Sequence, residues 1–159
     1  MAKISFDGLG EIQANLLKLP SLFGDALRSA ANAGATVVKD EVVTRAPEDR
    51  GILKSAIYQK HIPERSAADR QVYYVSWRKG KSSELDAFYG KWVEYGHWFV
   101  PPRPAGVSKE AHRAANRAVF IPEHAFLRPA FEATKEAAVD AMRKKLGENV
   151  RAAIAEMYK

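Results

Sequence analysis

Two stretches decide the fold: F-Y-G-K-W-V-E-Y-G-H-W, Phe88 to Trp98, and H-A-F-L-R-P-A-F-E, His124 to Glu132. In the first, glycines at 90 and 96 bracket an aromatic cluster of ambiguous period, so Phe88–Tyr95 suits one or two helical turns or an irregular strand, with the short helix favoured. The second opens the longest helical pattern of the chain, with Pro129 near its start. Glu94 lies among aromatics and glycines, where a carboxylate is costly to bury unless paired or hydrogen-bonded. Arg128 is its candidate partner. The two stretches are therefore expected to pack on each other. Trp92, Tyr95, Phe126 and Phe131 would form a supporting core, with Glu94 and Arg128 as a polar lock on the loop between.

That loop, about 98–123, is basic and marked by proline. Between Pro101 and Arg128 the cations Arg103, Lys109, Arg113, Arg117 and Arg128 outnumber Glu110 and Glu123. Phe99 to Ala105 is expected to be extended or looped, and Ser108 to Val119 is compatible with a short surface helix. Arg103, Arg113 and Arg117 are candidate contact charges, and His97 and Trp98 flank them. Basic residues interleaved with Phe120 and Phe126 also suit a DNA-binding module, in which cations meet phosphate and aromatics stack on bases. An acidic protein patch accounts for the same charge.

Toward the N-terminus, Leu9, Ile12, Leu16 and Leu17 predict a short amphipathic helix within Phe6–Leu19, ended by Pro20, with Ser21 capping the next. Phe23, Leu27, Ala30, Gly34, Val37, Val38 and Val42 place a long helix over Leu22–Arg45. Its small middle, A-A-N-A-G-A, allows another helix or sheet, or equally a neighbouring subunit, to approach closely. Pro47 to Gly51 is turn chemistry. Ile52–Ile62 and Gln71–Trp77 then read as two strands joined through Glu64–Arg70, and Lys79–Glu84 as an exposed loop. After Pro129 the stripe Phe131, Ala138, Met142, Leu146, Val150, Ile154 and Met157 predicts a helix of roughly 40 Å that Gly147 would bend or interrupt. The expected class is α+β: long N-terminal and C-terminal helices packed on a small antiparallel β-sheet, with a long basic loop.

A chain of 159 residues fits one domain spanning 1–159. With 47% hydrophobic and 28% charged residues it has the composition of an ordinary globular protein. The N-terminus M-A-K-I-S-F-D-G lacks the apolar core of a secretory signal, and no apolar run approaches the length of a membrane span, so a cytoplasmic origin and no membrane partner are expected. Without cysteine there are no disulfides, thiolate metal sites or cysteine nucleophiles. A net charge of +6 permits acidic partners without choosing among them. No hydrolase, phosphate-loop, zinc-protease or dinucleotide motif is present, so no catalytic residue and no cofactor are expected. His97, His112 and His124 match no zinc spacing, and no metal is expected either.

Three blocks, in order, resemble one family. They are T-R-A-P-E-D-R-G-I-L-K-S-A-I (Thr44 to Ile57), F-Y-G-K-W-V-E-Y-G-H (Phe88 to His97) and H-A-F-L-R-P-A-F-E (His124 to Glu132). They are similar to the helix end with its alanine-proline turn, the aromatic valine-glutamate motif and the leucine-arginine-proline motif of small tail-component or tail-completion proteins. Those proteins are encoded in the head-tail connector region of long-tailed double-stranded DNA phages and prophages. Where the family motif has threonine after its second glycine this chain has His97, and its loop from Trp98 to Glu123 is longer. The resemblance implies a virion structural protein of the neck, assembled in the host cytoplasm. It implies a homo-oligomeric ring around the DNA channel, between a head connector or stopper protein and a tail terminator or tail tube protein. Such a subunit is expected to be monomeric alone and to order its loop on docking. Trp92, Glu94, Tyr95, His97, Trp98, Arg103, Arg113, Arg117, Phe126 and Arg128 are the expected partner-binding set, and DNA would only pass through the channel.

Overall fold

The computed structural model describes residues 9–48, 51–79, 87–115 and 117–157, with side chains described from residue 23. Ten elements follow in order. Helix α1 is Leu9–Arg45, α2 is Ile52–Ala56 and strand β1 is Ile57–His61. A 3-10 turn over Pro63–Arg65 leads to β2, Tyr73–Trp77. Then come α3 (Gly90–Tyr95), β3 (His97–Phe99), α4 (Lys109–Ala114), β4 (Val119–Ile121) and α5 (Leu127–Met157). The fold is α+β, with β1 paired to β2 in one two-stranded sheet and β3 to β4 in another. No described helix is long and apolar enough to cross a membrane.

The chain divides into two compact units. The first comprises α1 up to Glu41, Tyr58–Ser76 and α5 from Ala133. Among the described side chains its buried positions are small: Ala26, Ala30, Gly34 and Ala35 on α1, and Ala138 on α5. A Cβ built on Gly34 would lie 2.5 Å from Met142 Cε, 2.6 Å from Met142 Cγ and 3.1 Å from the Ala138 carbonyl oxygen. Glycine therefore lets α1 and α5 approach more closely than any larger residue permits, against the roughly 1 kcal/mol it costs inside a helix. On the same unit Gln59 Nε2 of β1 donates to Asn32 Oδ1 and Thr36 Oγ1 of α1, at 2.9 and 3.0 Å. In the turn between the strands Ser66 Oγ accepts from the Val72 N–H and donates to the Ile62 carbonyl, while His61 contacts Ser66 and Gln71. These bonds fix the turn where Pro63 denies the strand an N–H.

The second unit comprises Val42–Ile57 and Trp77–Glu132. Its core is Val42, Ala46, Leu53, Ala56, Ile57, Trp77, Ala87, Phe126 and Ala130. Trp77 and Phe126 are its largest rings, tilted against each other at 5.8 Å. Fully burying a side chain such as Phe126 contributes about 1.5–3 kcal/mol.

Four expectations are corrected here. Pro20 does not end a helix, and no second helix starts after Ser21: α1 runs through both from Leu9. A proline forfeits its own N–H bond and crowds one carbonyl, a local cost of about 3 kcal/mol that does not forbid helix on either side. The part of the first expected helix over Phe6–Gly8 lies outside the described residues. Ile52–Ala56 is a helical turn rather than the start of a strand. Gly51 at φ 72° reverses the chain, the Ser55 N–H donates to the Gly51 carbonyl at 3.0 Å, and the strand begins only at Ile57, where β-branched and aromatic residues begin. Gly147 lies inside the continuous helix α5. The expected long loop holds the short helix expected within it, α4, but its two ends pair as strands β3 and β4, which was not expected. The expected loop over Lys79–Glu84 falls outside the described residues beyond Lys79.

Candidate assembly interface

Helix α3 leads into β3 through Gly96, whose φ is 70°. A Cβ there would meet Phe120 Cζ at 2.8 Å, the Ile121 carbonyl oxygen at 2.9 Å and the Glu123 nitrogen at 3.1 Å. Only glycine satisfies both the left-handed backbone and the space. Strands β3 and β4 then pair antiparallel in the register His97 to Ile121, Trp98 to Phe120 and Phe99 to Val119. The Trp98 and Phe120 rings meet edge-on at 5.3 Å, a cross-strand pair that stiffens an otherwise short hairpin.

Beneath the hairpin, Glu94 organises the start of α5. Its side chain is fully buried, and its Oε2 accepts from the Phe126 and Leu127 N–H groups at 2.8 and 2.9 Å. Oε1 accepts from the Arg128 N–H and from Arg128 Nε, each at 3.1 Å. Pro129 has no N–H, and the Ala130 N–H turns back to the Phe126 carbonyl at 3.3 Å. The N–H groups of Phe126, Leu127 and Arg128 thus find their acceptor in a carboxylate from a different element, and that of Ala130 in the preceding backbone. The positive end of the helix dipole favours that carboxylate in its charged form. Burial raises the pKa of Glu94, but the three backbone N–H groups and the guanidinium together outweigh it and hold the carboxyl below the usual carboxylate range. Arg128 Nη2 also donates to the Glu94 carbonyl at 3.0 Å and to Glu123 Oε2 at 2.8 Å, and its guanidinium lies 5.0 Å from the Tyr95 ring centre. The His124 N–H donates to the Val93 carbonyl at 2.8 Å, closing the seam.

The Glu94–Arg128 pair expected from the sequence is present, but it is half of the arrangement. The helix-capping role of Glu94 and the participation of Glu123 were not anticipated. A carboxylate two residues after a tryptophan gives no sign that it will cap a helix more than thirty positions away.

The expected supporting core is corrected. Phe126 is buried, whereas Trp92 is 47% exposed, Tyr95 53% and Phe131 52%. The short α3 turns Gly90 and Glu94 inward, with the Trp77 indole against Gly90, and leaves Trp92 and Tyr95 outside. His97 is half-buried, with its ring stacked on Trp92 at 5.5 Å, and Trp98 is 68% exposed. The structure therefore gathers Trp92, Glu94, Tyr95, His97, Phe126 and Arg128 around one seam, and sets Trp98 on the adjoining hairpin. Arg103, Arg113 and Arg117 are exposed on the segment between the strands, and Arg103 Nη1 donates to the Val107 carbonyl at 2.8 Å. Phe88, Phe99, Val100, Val119, Phe120 and Ile121 add to the open apolar surface. V-F-I at 119–121, a β-forming triplet after a basic helix, was the signal for the second arm of the hairpin.

Among the described residues no group of three or more His, Cys, Asp or Glu side chains is placed to hold a metal ion. This face presents exposed apolar and aromatic side chains set on a hydrogen-bonded base.

A family profile described as "Bacteriophage HK97-gp10, putative tail-component" matches residues 10–96. The match covers more than half of the chain and includes α1, the first sheet and α3 with Glu94, while the β3–β4 hairpin and α5 lie beyond it. No curated protein and no solved structure matches. The chain belongs to the HK97-gp10-like family and is a structural component of a bacteriophage tail.

Proposed function

We propose that this tail component acts at the neck, as a tail-completion ring that joins the head connector or stopper to the tail terminator or tail tube, with DNA passing through its channel. The observation that carries this reading is the aromatic hairpin. Trp98, Phe99, Val119 and Phe120 stand open to solvent on a seam fixed by the Glu94 and Arg128 bonds. Exposed apolar surface on a stiff base suits a part that becomes complete only on assembly. The role is mechanical rather than catalytic, the chain works as one domain without a cofactor, and assembly in the host cytoplasm precedes residence in the virion.

The test is electron microscopy of particles made with the gene silenced, counting joined and separate heads and tails. Filled heads and finished tails that remain apart are expected. Normally joined particles would overturn the neck assignment.

A second reading has one observation in its favour: Arg103, Lys109, Arg113 and Arg117 are all exposed on the segment between β3 and β4. It predicts duplex binding that falls steeply with salt as phosphate contacts release counterions. Absence of binding at low salt removes it.

A further inference from the structure

The second unit carries both halves of a contact that it does not make with itself. One half is Trp98, the most exposed of the chain's described large hydrophobic residues. The edge of Phe120 holds its ring as a projection from the hairpin. The other half is a cavity of about 330 Å³ lined by Pro47, Glu48, Ile52, Leu53, Tyr89 and Val93, among others. Its walls are mostly apolar, and Glu48 supplies a carboxylate. Lys54 Nζ lies 2.6 Å from Glu48 Oε2, and its hydrogen bond and charge hold the carboxyl below the usual range, so an ionised acceptor is available there. An indole is the complementary shape: a flat apolar body carrying one N–H donor.

The amount of open apolar surface points the same way. Ten large side chains of this unit, from Phe88 to Phe131, are at least 41% exposed. At about 150–250 Å² for a large aromatic residue, they leave on the order of 1,000 Å² uncovered. A standard interface takes about 800 Å² from each partner, so the exposed side chains of this unit are sufficient in total for one side of a contact. Both the projection and the cavity that would receive it belong to the same polypeptide.

We propose that Trp98 of one copy of this chain seats in the Pro47–Val93 cavity of the next copy. Because the projection and the cavity are different surfaces, the contact is head-to-tail, the kind that closes into a ring when the rotation permits. The inference rests on the ring reading above and specifies its joint. A tryptophan seated in a partner's pocket is a frequent centre of interface energy, so most of the contact should depend on this one residue.

The chain has no cysteine, so an introduced pair reports without background. Full-length chain carrying both Val100→Cys, exposed beside the hairpin, and Ser55→Cys, exposed on the helical turn that carries Ile52, keeps the projection and the cavity lining intact. It is produced in the host, and tails are isolated, oxidised and run on a non-reducing gel. A ladder of covalent multimers is expected. Chain present in tails with no ladder overturns the joint, as does a bond to a different tail protein or a dimer from Val100→Cys alone, which would mean a symmetric contact. A second measurement is independent of the cross-link. When wild-type chain and a Trp98 variant are co-produced, Trp98→Ala should enter tails at least about tenfold less than wild type, the drop that loss of about 1.4 kcal/mol gives. Trp98→Phe should retain most of its uptake. Equal uptake of Trp98→Ala, with its unchanged melting temperature showing that it folds, overturns the proposal. The particle count reads joining and the gel reads contact between copies, so either can fail without the other.

Discussion

The first unit closes its helix contact by removing side chains, and the second builds its seam by adding polar ones. Around Gly34, helices α1 and α5 come together over alanine, glycine and the side chain of Met142, so little volume is spent and little is left to mismatch. Around Glu94 a single carboxylate is buried to receive three backbone N–H groups and a guanidinium, while most of the aromatic side chains nearby remain outside. Close-packed small residues give stability that depends on shape. A buried, saturated carboxylate gives a seam that depends on charge, and it frees the surrounding aromatic surface for another task. The difference separates what holds this protein together from what it offers to partners.

Breaking the polar seam should have the largest effect. Glu94→Ala leaves the first N–H groups of α5 and the Arg128 guanidinium without their acceptor and is expected to cost about 3–5 kcal/mol in denaturant unfolding. Unchanged stability would mean that water replaces the carboxylate freely and that the seam is incidental. The same group makes the seam sensitive to acid. Because the folded pKa of Glu94 lies below its ordinary value of 4.5, its contribution is complete above that value and is lost as the pH falls through the lower folded value. Wild type should therefore lose stability in that acid window faster than Glu94→Gln, measured by unfolding from pH 6 down to pH 3. Parallel curves would show that another group controls the acid limb.

Shape should matter next, at a smaller scale and in both units. Gly96→Ala combines a positive φ with a Cβ inside contact distance of the Ile121 carbonyl oxygen, and should cost about 1–3 kcal/mol. Gly34→Val gains helix propensity but forces its methyl groups into Met142 and should cost a net ~1–2 kcal/mol. What sharpens the comparison is the double variant. Met142→Ala opens the space that valine needs, so Gly34→Val with Met142→Ala should be more stable than the sum of the two changes allows. Strict additivity would mean that α1 and α5 do not meet through this pair.

Most of this architecture was legible in the sequence, and the failures have local causes. The long helices followed from their apolar stripes, and β2 from Tyr73, Tyr74 and Val75. The pairing of Glu94 with Arg128 followed from the cost of burying a carboxylate among aromatics. Pro20 was read as a stop because the penalty of a proline is visible in sequence, while the helix on both sides that bears it is not. Ile52–Ala56 was taken for a strand because the turn at Gly51 depends on a left-handed backbone that one glycine permits without requiring. Trp92, Tyr95 and Phe131 were assigned to a core because hydrophobic character tells what a side chain avoids, and only the fold tells whether the covering surface belongs to the same chain.

The smallest expected effect on folding belongs to the residue with the largest expected effect on assembly. Trp98 is 68% exposed and its one described ring contact is the edge of Phe120, so Trp98→Ala should lower unfolding stability by no more than about 1 kcal/mol, the scale of one aromatic pair. Glu94→Ala inverts the relation: it should destabilise the fold severely while leaving Trp98 itself chemically intact. Measuring both variants for stability and for uptake into tails separates the two properties. If Trp98→Ala loses uptake at nearly native stability, the aromatic surface is for assembly, and the polar seam serves to hold it in position. If Trp98→Ala instead melts as far below wild type as Glu94→Ala does, the hairpin is part of the folding core despite its exposure, and the division between holding and offering fails at that residue.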